Sequence, residues 1–304
     1  MKKNGLIESK SKEKEKIKHI FDKTAKIYDK IGPDFFSAFG KRLVDIISPK
    51  EKSCILDVGA GRGAIVFSLV RKLSTEATVI GIDFSSSMIK ELTHDIKCLP
   101  NKNIFILNMD AENLSFKNST FDYIFCGFSM FFFTSPVQAL SEFNRVLKSN
   151  GILGISTWGD DDKNWNWYYE MIDKYEKQKE LYENDYYLSF DTRQEIENIL
   201  LKAGFGEIKI VAENTDVYYK NKNEWWNSIW SHGERETLDL LNPEKLKLFK
   251  DEAFRKLKYN KQHNGYCQKL EVLYTSAKKS RKLKRTKKEI FNQNDRLLDR
   301  NYCK

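Results

Sequence analysis

Cys54-Ile55-Leu56-Asp57-Val58-Gly59-Ala60-Gly61-Arg62-Gly63-Ala64 decides the reading of this chain. A short run, apolar on both faces, suits a strand buried in the middle of a parallel sheet. An acid stands near its end and three alternating glycines follow. The glycines allow a sharp turn and a close backbone approach to a ligand. An apolar helical run at 65–73 follows, so the helix N-terminus points into the same crevice. A second apolar strand, Thr78-Val79-Ile80-Gly81-Ile82-Asp83, also ends in an acid, placed to grip both hydroxyls of a ribose. Together the two stretches imply a nucleoside-bearing cofactor.

Working outward, strands are expected at 53–58, 78–83, 103–109, 121–127 and 150–157, and helices at 63–73, 86–97 and 135–148. Ser85 is the expected N-cap of the second helix, and Asn150-Gly151 the turn into the fifth strand. This alternation specifies a parallel sheet with helices on both faces. Upstream, apolar spacing from Ile17 through Tyr28 and from Phe35 to Ile47 marks two amphipathic helices. Downstream, 159–190 is acidic and aromatic, with Tyr182, Tyr186 and Tyr187 among its rings. A helix at 191–203 and a strand at 207–212 follow. Residues 221–260 read as helical, and a final strand is expected at about 266–276.

The 304 residues carry a net charge of +9, but the charge is uneven. Residues 1–18 hold seven Lys against three Glu, and residues 278–304 hold eleven Lys and Arg against three acids, leaving a balance of −3 for 19–277. A slightly acidic body argues against a nucleic-acid footprint across it. Five scattered cysteines without a CxxC pair (54, 98, 126, 267 and 303) read as reduced thiols rather than a disulfide framework or zinc site. No long apolar run or leader-like segment occurs, so a cytoplasmic protein without a membrane span is expected. Asp160-Asp161-Asp162 reads as a solvated turn rather than a metal site, and no metal is expected.

These motifs resemble the class I S-adenosylmethionine (SAM)-dependent methyltransferases. Asp57-Val58-Gly59-Ala60-Gly61-Arg62-Gly63 is similar to their first motif, Asp83 to their ribose-binding acid, and Phe121-Asp122-Tyr123-Ile124 to their fourth strand. Phe21-Asp22-Lys23-Thr24-Ala25-Lys26-Ile27-Tyr28-Asp29 resembles the lid helix of small-molecule, ubiquinone-type members. Gly32-Pro33-Asp34-Phe35-Phe36 and Phe131-Phe132-Phe133 are closer to enzymes of the aklanonic acid methyltransferase kind. One residue rather than two separates Gly61 from Gly63, which favours SAM over a dinucleotide.

The resemblance implies a Rossmann-like α/β fold. It has a seven-stranded, mostly parallel sheet with the last strand antiparallel, N-terminal lid helices and a helical cap inserted before the last strand. The domain covers 19–277, with the cap at about 213–265, a basic flexible arm at 1–18 and a basic tail at 278–304.

On this reading Gly59 and Gly61 lie against the methionine part of SAM, Asp57 holds its ammonium group and Asp83 its ribose. Phe84 and Met88 flank the adenine, and Asp110 accepts from the adenine amino group beside the Ala111 N–H. Gly127 lies near the sulfonium, and Tyr28 closes over the methionine moiety. Phe132, Trp158, Trp226, Trp230 and Arg235 are the candidate acceptor contacts. His232 is the candidate general base.

The expected reaction is methyl transfer to oxygen, nitrogen or carbon of a small apolar or aromatic acceptor, with S-adenosylhomocysteine as product. Nucleic acid is not an expected partner, and a homo-oligomer stays open. Two alternatives remain: an RNA or protein methyltransferase recruited by the basic ends, and a non-catalytic SAM-binding protein.

Overall fold

The computed structural model describes residues 2–99, 103–176 and 190–280. Tyr182, Tyr186, Tyr187, Cys303 and nearly all of the basic 278–304 segment lie outside the described residues.

Helices α1 (Lys2–Thr24) and α2 (Phe35–Ile47) come first. The alternating core follows as β1 (Cys54–Val58), α3 (Ala64–Lys72), β2 (Thr78–Asp83), α4 (Ser86–Ile96), β3 (Ile104–Asn108), β4 (Phe121–Gly127), α5 (Pro136–Val146) and β5 (Leu147–Trp158). Next are α6 (Asn166–Glu176), α7 (Arg193–Lys202) and β6 (Phe205–Tyr219). The cap helices α8 (Lys222–Ile229), α9 (Arg235–Asp239) and α10 (Pro243–Lys256) lead to a two-residue strand, β7 (Lys261–Gln262), and to β8 (Gly265–Lys279).

The long strands take the order β3-β2-β1-β4-β5-β8-β6, with β7 off this path and paired to β8. Strands β1 to β5 pair in parallel, and β8 inserts antiparallel between β5 and β6. This is the expected mostly parallel Rossmann-like sheet. Chain order reverses between β1 and β4, so a crevice opens at their C-terminal ends. Leu43, Ile65, Val66 and Leu69 pack on one face of the sheet, and Leu140, Phe143, Ile196 and Leu200 on the other. The cap has its own apolar centre around Trp165, Trp225, Trp226 and Phe249.

Residues 2–18 of the expected basic arm form the first part of α1. Its lysines find partners on the body, among them Lys10 on Ser135 Oγ at 2.7 Å. The cap begins later than residue 213, because β6 runs on through Tyr219. Its polar residues Glu213, Asn214, Thr215 and Asp216 pair by backbone with β8, which needs no apolar alternation. Strand β8 continues into the expected tail, with Lys278 opposite Ile152 and Lys279 opposite Phe205. Finally, Asn150, at φ 64, lies inside β5 rather than before it.

Ser85 caps α4 as expected, its Oγ accepting from the Met88 N–H at 3.1 Å. Among the described residues no helix is long and apolar enough to cross a membrane.

Candidate active site

A pocket of about 330 Å³ opens at the C-terminal ends of β1, β2 and β4, beneath α1 and the 28–37 turn. Tyr28, Asp57, Gly59, Gly61 and Asp83 all line it, as do Phe84, Met88, Asp110, Ala111 and Gly127. The cofactor residues expected from sequence are thus brought together around one cavity.

The glycine loop is fixed by backbone bonds. Ala60 N–H donates to Ile82 O at 2.9 Å, Gly63 N–H to Ala60 O at 2.7 Å, and Gly61 N–H to Asp83 Oδ2 at 2.9 Å. Gly59 and Gly61 have φ of 68° and 50°, in the left-handed region that favours glycine. Their surroundings differ. A Cβ on Gly59 would fall 2.1 Å from Ser129 Oγ, whereas one on Gly61 would meet nothing nearer than 3.9 Å. The first glycine therefore serves internal packing and the second leaves space for a ligand.

Two carboxylates define the polar end. Asp57 is buried, and neither of its carboxylate oxygens has a hydrogen-bond partner among the described residues. Burial, with the neighbouring Asp83 adding to it, pushes its carboxyl well above the ordinary range. A buried, unpaired carboxylate is costly unless a ligand completes it, and an ammonium group is the complement this one lacks. Asp83 accepts from the N–H groups of Gly61 and Ser85, at 2.9 and 2.8 Å. Burial raises it to about 6, with those two bonds working in the opposite direction. The pair fits the ammonium and ribose ends of SAM, with Gly61 leaving room between them.

The lid helix is fastened at two points. Asp22 of α1 accepts from Ser85 Oγ–H at 2.6 Å and from Ser87 N–H at 2.9 Å, which attaches the helix to the start of α4. At the middle of the helix Lys14 lies 2.6 Å from Asp110 and 2.8 Å from Glu112. Asp110, expected to face an adenine amino group, thus already holds an ammonium from the lid. Lys14 carries no motif, and only the folded structure reveals its position. Phe21 closes the roof against Phe132, with ring centroids 4.9 Å apart and nearly perpendicular.

The acceptor residues expected from sequence divide. Phe132 lines the pocket with Phe36 and Phe128. Trp158 does not; it packs at a tilt against Phe128, ring centroids 4.3 Å apart, completing an aromatic layer with Phe36 and Phe39. Trp226 is buried in the cap, and Trp230 packs beside it under the Arg235 guanidinium. Arg235 donates to Asp239 at 3.3 Å within its own helix. Trp226, Trp230 and Arg235 belong to the cap and Trp158 to the aromatic layer at the end of β5, and none of the four lines the cavity. His232, the candidate general base, is buried among Tyr28, Phe35 and Phe36. Burial lowers its pKa, against the charge of Glu234. Phe128 itself sits at φ 51, a strained value for an aromatic residue, right after β4 at the pocket wall.

The family profile described as ubiE/COQ5 methyltransferase matches residues 8–217, which takes in the lid, the glycine loop and the whole parallel sheet. The chain belongs to the ubiE/COQ5 methyltransferase family. An aklanonic acid methyltransferase from Streptomyces sp. strain C5 is 33% identical over 144 residues, covering 47% of this chain and 66% of the relative. Nocamycin O-methyltransferase from Saccharothrix syringae is 28% identical over 137 residues, covering 45% and 49%. The match thus spans about half to two thirds of those two relatives. A demethylmenaquinone methyltransferase from Staphylococcus carnosus is 28% identical over 214 residues, covering 65% of this chain and 88% of the relative.

Among solved structures, a Bacillus halodurans C-125 protein described as a methyltransferase superposes with a TM-score of 0.56 at 18% identity, covering 80% of this chain and all of the other. Haemonchus contortus phosphoethanolamine N-methyltransferase 2, in complex with S-adenosyl-L-methionine, gives 0.53 at 19% identity, covering 86% and 57%. These structures share the fold.

Proposed function

We propose that the protein transfers the methyl group of SAM to a small, largely aromatic acceptor held beneath α1. The observation that carries this reading is Asp57, a buried carboxylate with both oxygens unpaired at the wall of the pocket. Asp57 holds the ammonium group, Asp83 the ribose hydroxyls, and the glycine loop passes beneath the methionine part. Phe84 and Met88 flank the base at the foot of α4, and Asp110 and Ala111 lie at its edge. Tyr28 closes over the methionine end, and Gly127 leaves room at the sulfonium.

Bound SAM supplies a methyl group on a leaving group that is already good. What remains for the chain is alignment and exclusion of water. Phe21, Phe36, Phe128 and Phe132 supply an apolar chamber for that purpose. The methyl acceptors named in the relatives, aklanonic acid and demethylmenaquinone, support a small molecule over a polymer. So do the acidic body and the engagement of Lys10 and Lys14 within the fold. The thiols of Cys54, Cys98, Cys126 and Cys267 are free, which supports a reducing, cytoplasmic setting.

Titration calorimetry with SAM tests the reading. Asp83→Ala should weaken SAM about tenfold or more, the effect of losing a charge-assisted hydrogen bond. Unchanged affinity would remove the ribose assignment, and absence of SAM binding to the wild type would remove the function.

A further inference from the structure

Asp29 follows Tyr28 in the turn after α1, with φ at 54°. Its side chain is nine-tenths buried and lines the pocket between Tyr28 and Lys30, with Asp34 alongside. Among the described residues Oδ1 has no hydrogen-bond partner, and neither has Nε2 of His232, 3.9 Å away. The imidazole is held by Tyr28, Phe35 and Phe36, each with its ring centroid 5.4 Å from it. His232 therefore stands behind Asp29, and Asp29 meets the cavity. Two buried polar groups left unpaired side by side in an aromatic cage are costly. They point to a third polar group supplied by the ligand, at the acceptor side of the pocket.

We propose that Asp29 is the base that takes the proton of a phenol or enol acceptor, and that His232 is the residue that positions it. The proposal rests on the methyl-transfer reading above and names its acceptor class. In the step, the acceptor O–H bond, or the acidic C–H of its keto form, breaks and the proton passes to the Asp29 carboxylate. The electron pair released forms the bond to the methyl carbon, and the carbon–sulfur bond breaks with its electrons going to sulfur. A cation becomes a neutral thioether, and the proton stays on Asp29 until it exchanges with solvent.

The charges around the pair suit this role. Burial pushes Asp29 up to about 8, the neighbouring Asp34 adds to this, and the N–H groups of Ser37 and Phe36 oppose it. The Tyr28 phenol faces Asp29, Lys30 follows it in sequence, and Glu234 faces His232. An ordinary carboxylate is too weak a base for a phenol, whereas one tuned to this range is matched to it. The left-handed backbone at Asp29 is one that Asn also tolerates, so Asp29→Asn preserves the turn.

The test uses the full chain loaded with S-adenosylhomocysteine. The probe is 2-hydroxy-1,4-naphthoquinone, an enol acidic enough to be an anion throughout the pH range used. Such an anion mimics the deprotonated acceptor and binds only against a protonated Asp29. Its affinity, measured by calorimetry, should fall about tenfold per pH unit above about pH 8 in the wild type. In Asp29→Asn it should be retained and level across the same range. His232→Phe should move the break downward in pH, because the neutral imidazole, its Nδ1–H held by the Ser228 backbone, presents Nε2 as an acceptor to the protonated carboxyl, and that acceptor is lost.

Binding of S-adenosylhomocysteine, measured on the same samples, reports folding and cofactor binding separately. If that binding is absent in the wild type, the methyl-transfer reading itself has failed. If it is present, three results overturn the proposal: no probe binding to the wild type, the same pH break in Asp29→Asn, or an unmoved break in His232→Phe.

Discussion

Arg62, the cation inside the glycine loop, donates to the carbonyl of Ala25 at 2.7 Å and so ties the cofactor loop to the end of the lid helix. The same guanidinium pairs with Glu91 at 3.0 Å and with Asp95, both on α4. Loop, lid and the second core helix are thus joined through one side chain that is only 8% exposed.

Removing Arg62 should therefore affect both stability and ligand release. Arg62→Ala leaves the Ala25 carbonyl and two carboxylates without their cation. The carboxylates are partly exposed, which keeps the expected loss to about 2 kcal/mol, below that of a fully buried pair. Chemical denaturation measures that loss. Stopped-flow release of S-adenosylhomocysteine should be faster by about tenfold, since opening of the lid limits escape.

The two lining glycines should fail in different ways. Gly59→Ala places a methyl group against Ser129, so stability should drop by about 2 kcal/mol or more. Ser129→Gly should restore part of that loss. Gly61→Ala has room, so its stability cost should be only about 1 kcal/mol of left-handed strain. Its methyl group projects into ligand space, so SAM affinity should suffer more than stability. Parallel melting and calorimetry on the two variants would separate the cases, and equal effects on both would contradict them.

The protein without ligand should lose stability as pH rises through the neutral range. Asp29, Asp57 and Asp83 all have carboxyl groups raised above the ordinary 3.8, to about 8 for Asp29 and about 6 for Asp83. A raised carboxyl favours the fold while protonated, so this contribution is full below about pH 4 and disappears as pH climbs through the folded values. Asp22, Glu142 and Glu252 are lowered, burial being outweighed in Asp22 by its bonds from Ser85 and Ser87. Their contribution has the opposite sign and is lost as pH falls below about 4. The melting temperature should therefore peak near pH 5 and fall toward about pH 8, with SAM reducing the decline.

Trp226 should prove structural. It is 6% exposed and packs against Trp230, Phe249 and Phe254 within the cap. Trp226→Ala should cost about 3–5 kcal/mol in the cap while SAM affinity changes less than about threefold. A loss of affinity without a loss of stability would return the tryptophan to the binding site.

Much of the site was legible because it depends on local sequence. An apolar strand ending in an acid, followed by glycines or by a capped helix, has few other uses, and Asp57, Gly61, Asp83 and Met88 stand where that logic puts them. The lid is different. The stretch 1–18 has too few apolar residues to announce a packed helix, and its anchor is a charge pair between Lys14 and acids about a hundred residues away. Direction was equally hidden for Trp158, Trp226 and Trp230, since an aromatic residue near a cleft can face the cleft or the core behind it. Asp29 escaped notice because the helical spacing up to Tyr28 gave no sign that the chain turns there. The positive φ that aims its carboxylate appears only in the folded chain.

The central claim is that Asp57 holds the ammonium group of SAM, and Asp57→Asn tests it most directly. The substitution keeps the shape and removes a buried charge that has no partner. SAM affinity by calorimetry should fall about 10- to 100-fold, while the ligand-free protein gains about 1 kcal/mol of stability near pH 8. Unchanged SAM affinity in a correctly folded Asp57→Asn variant would contradict the account.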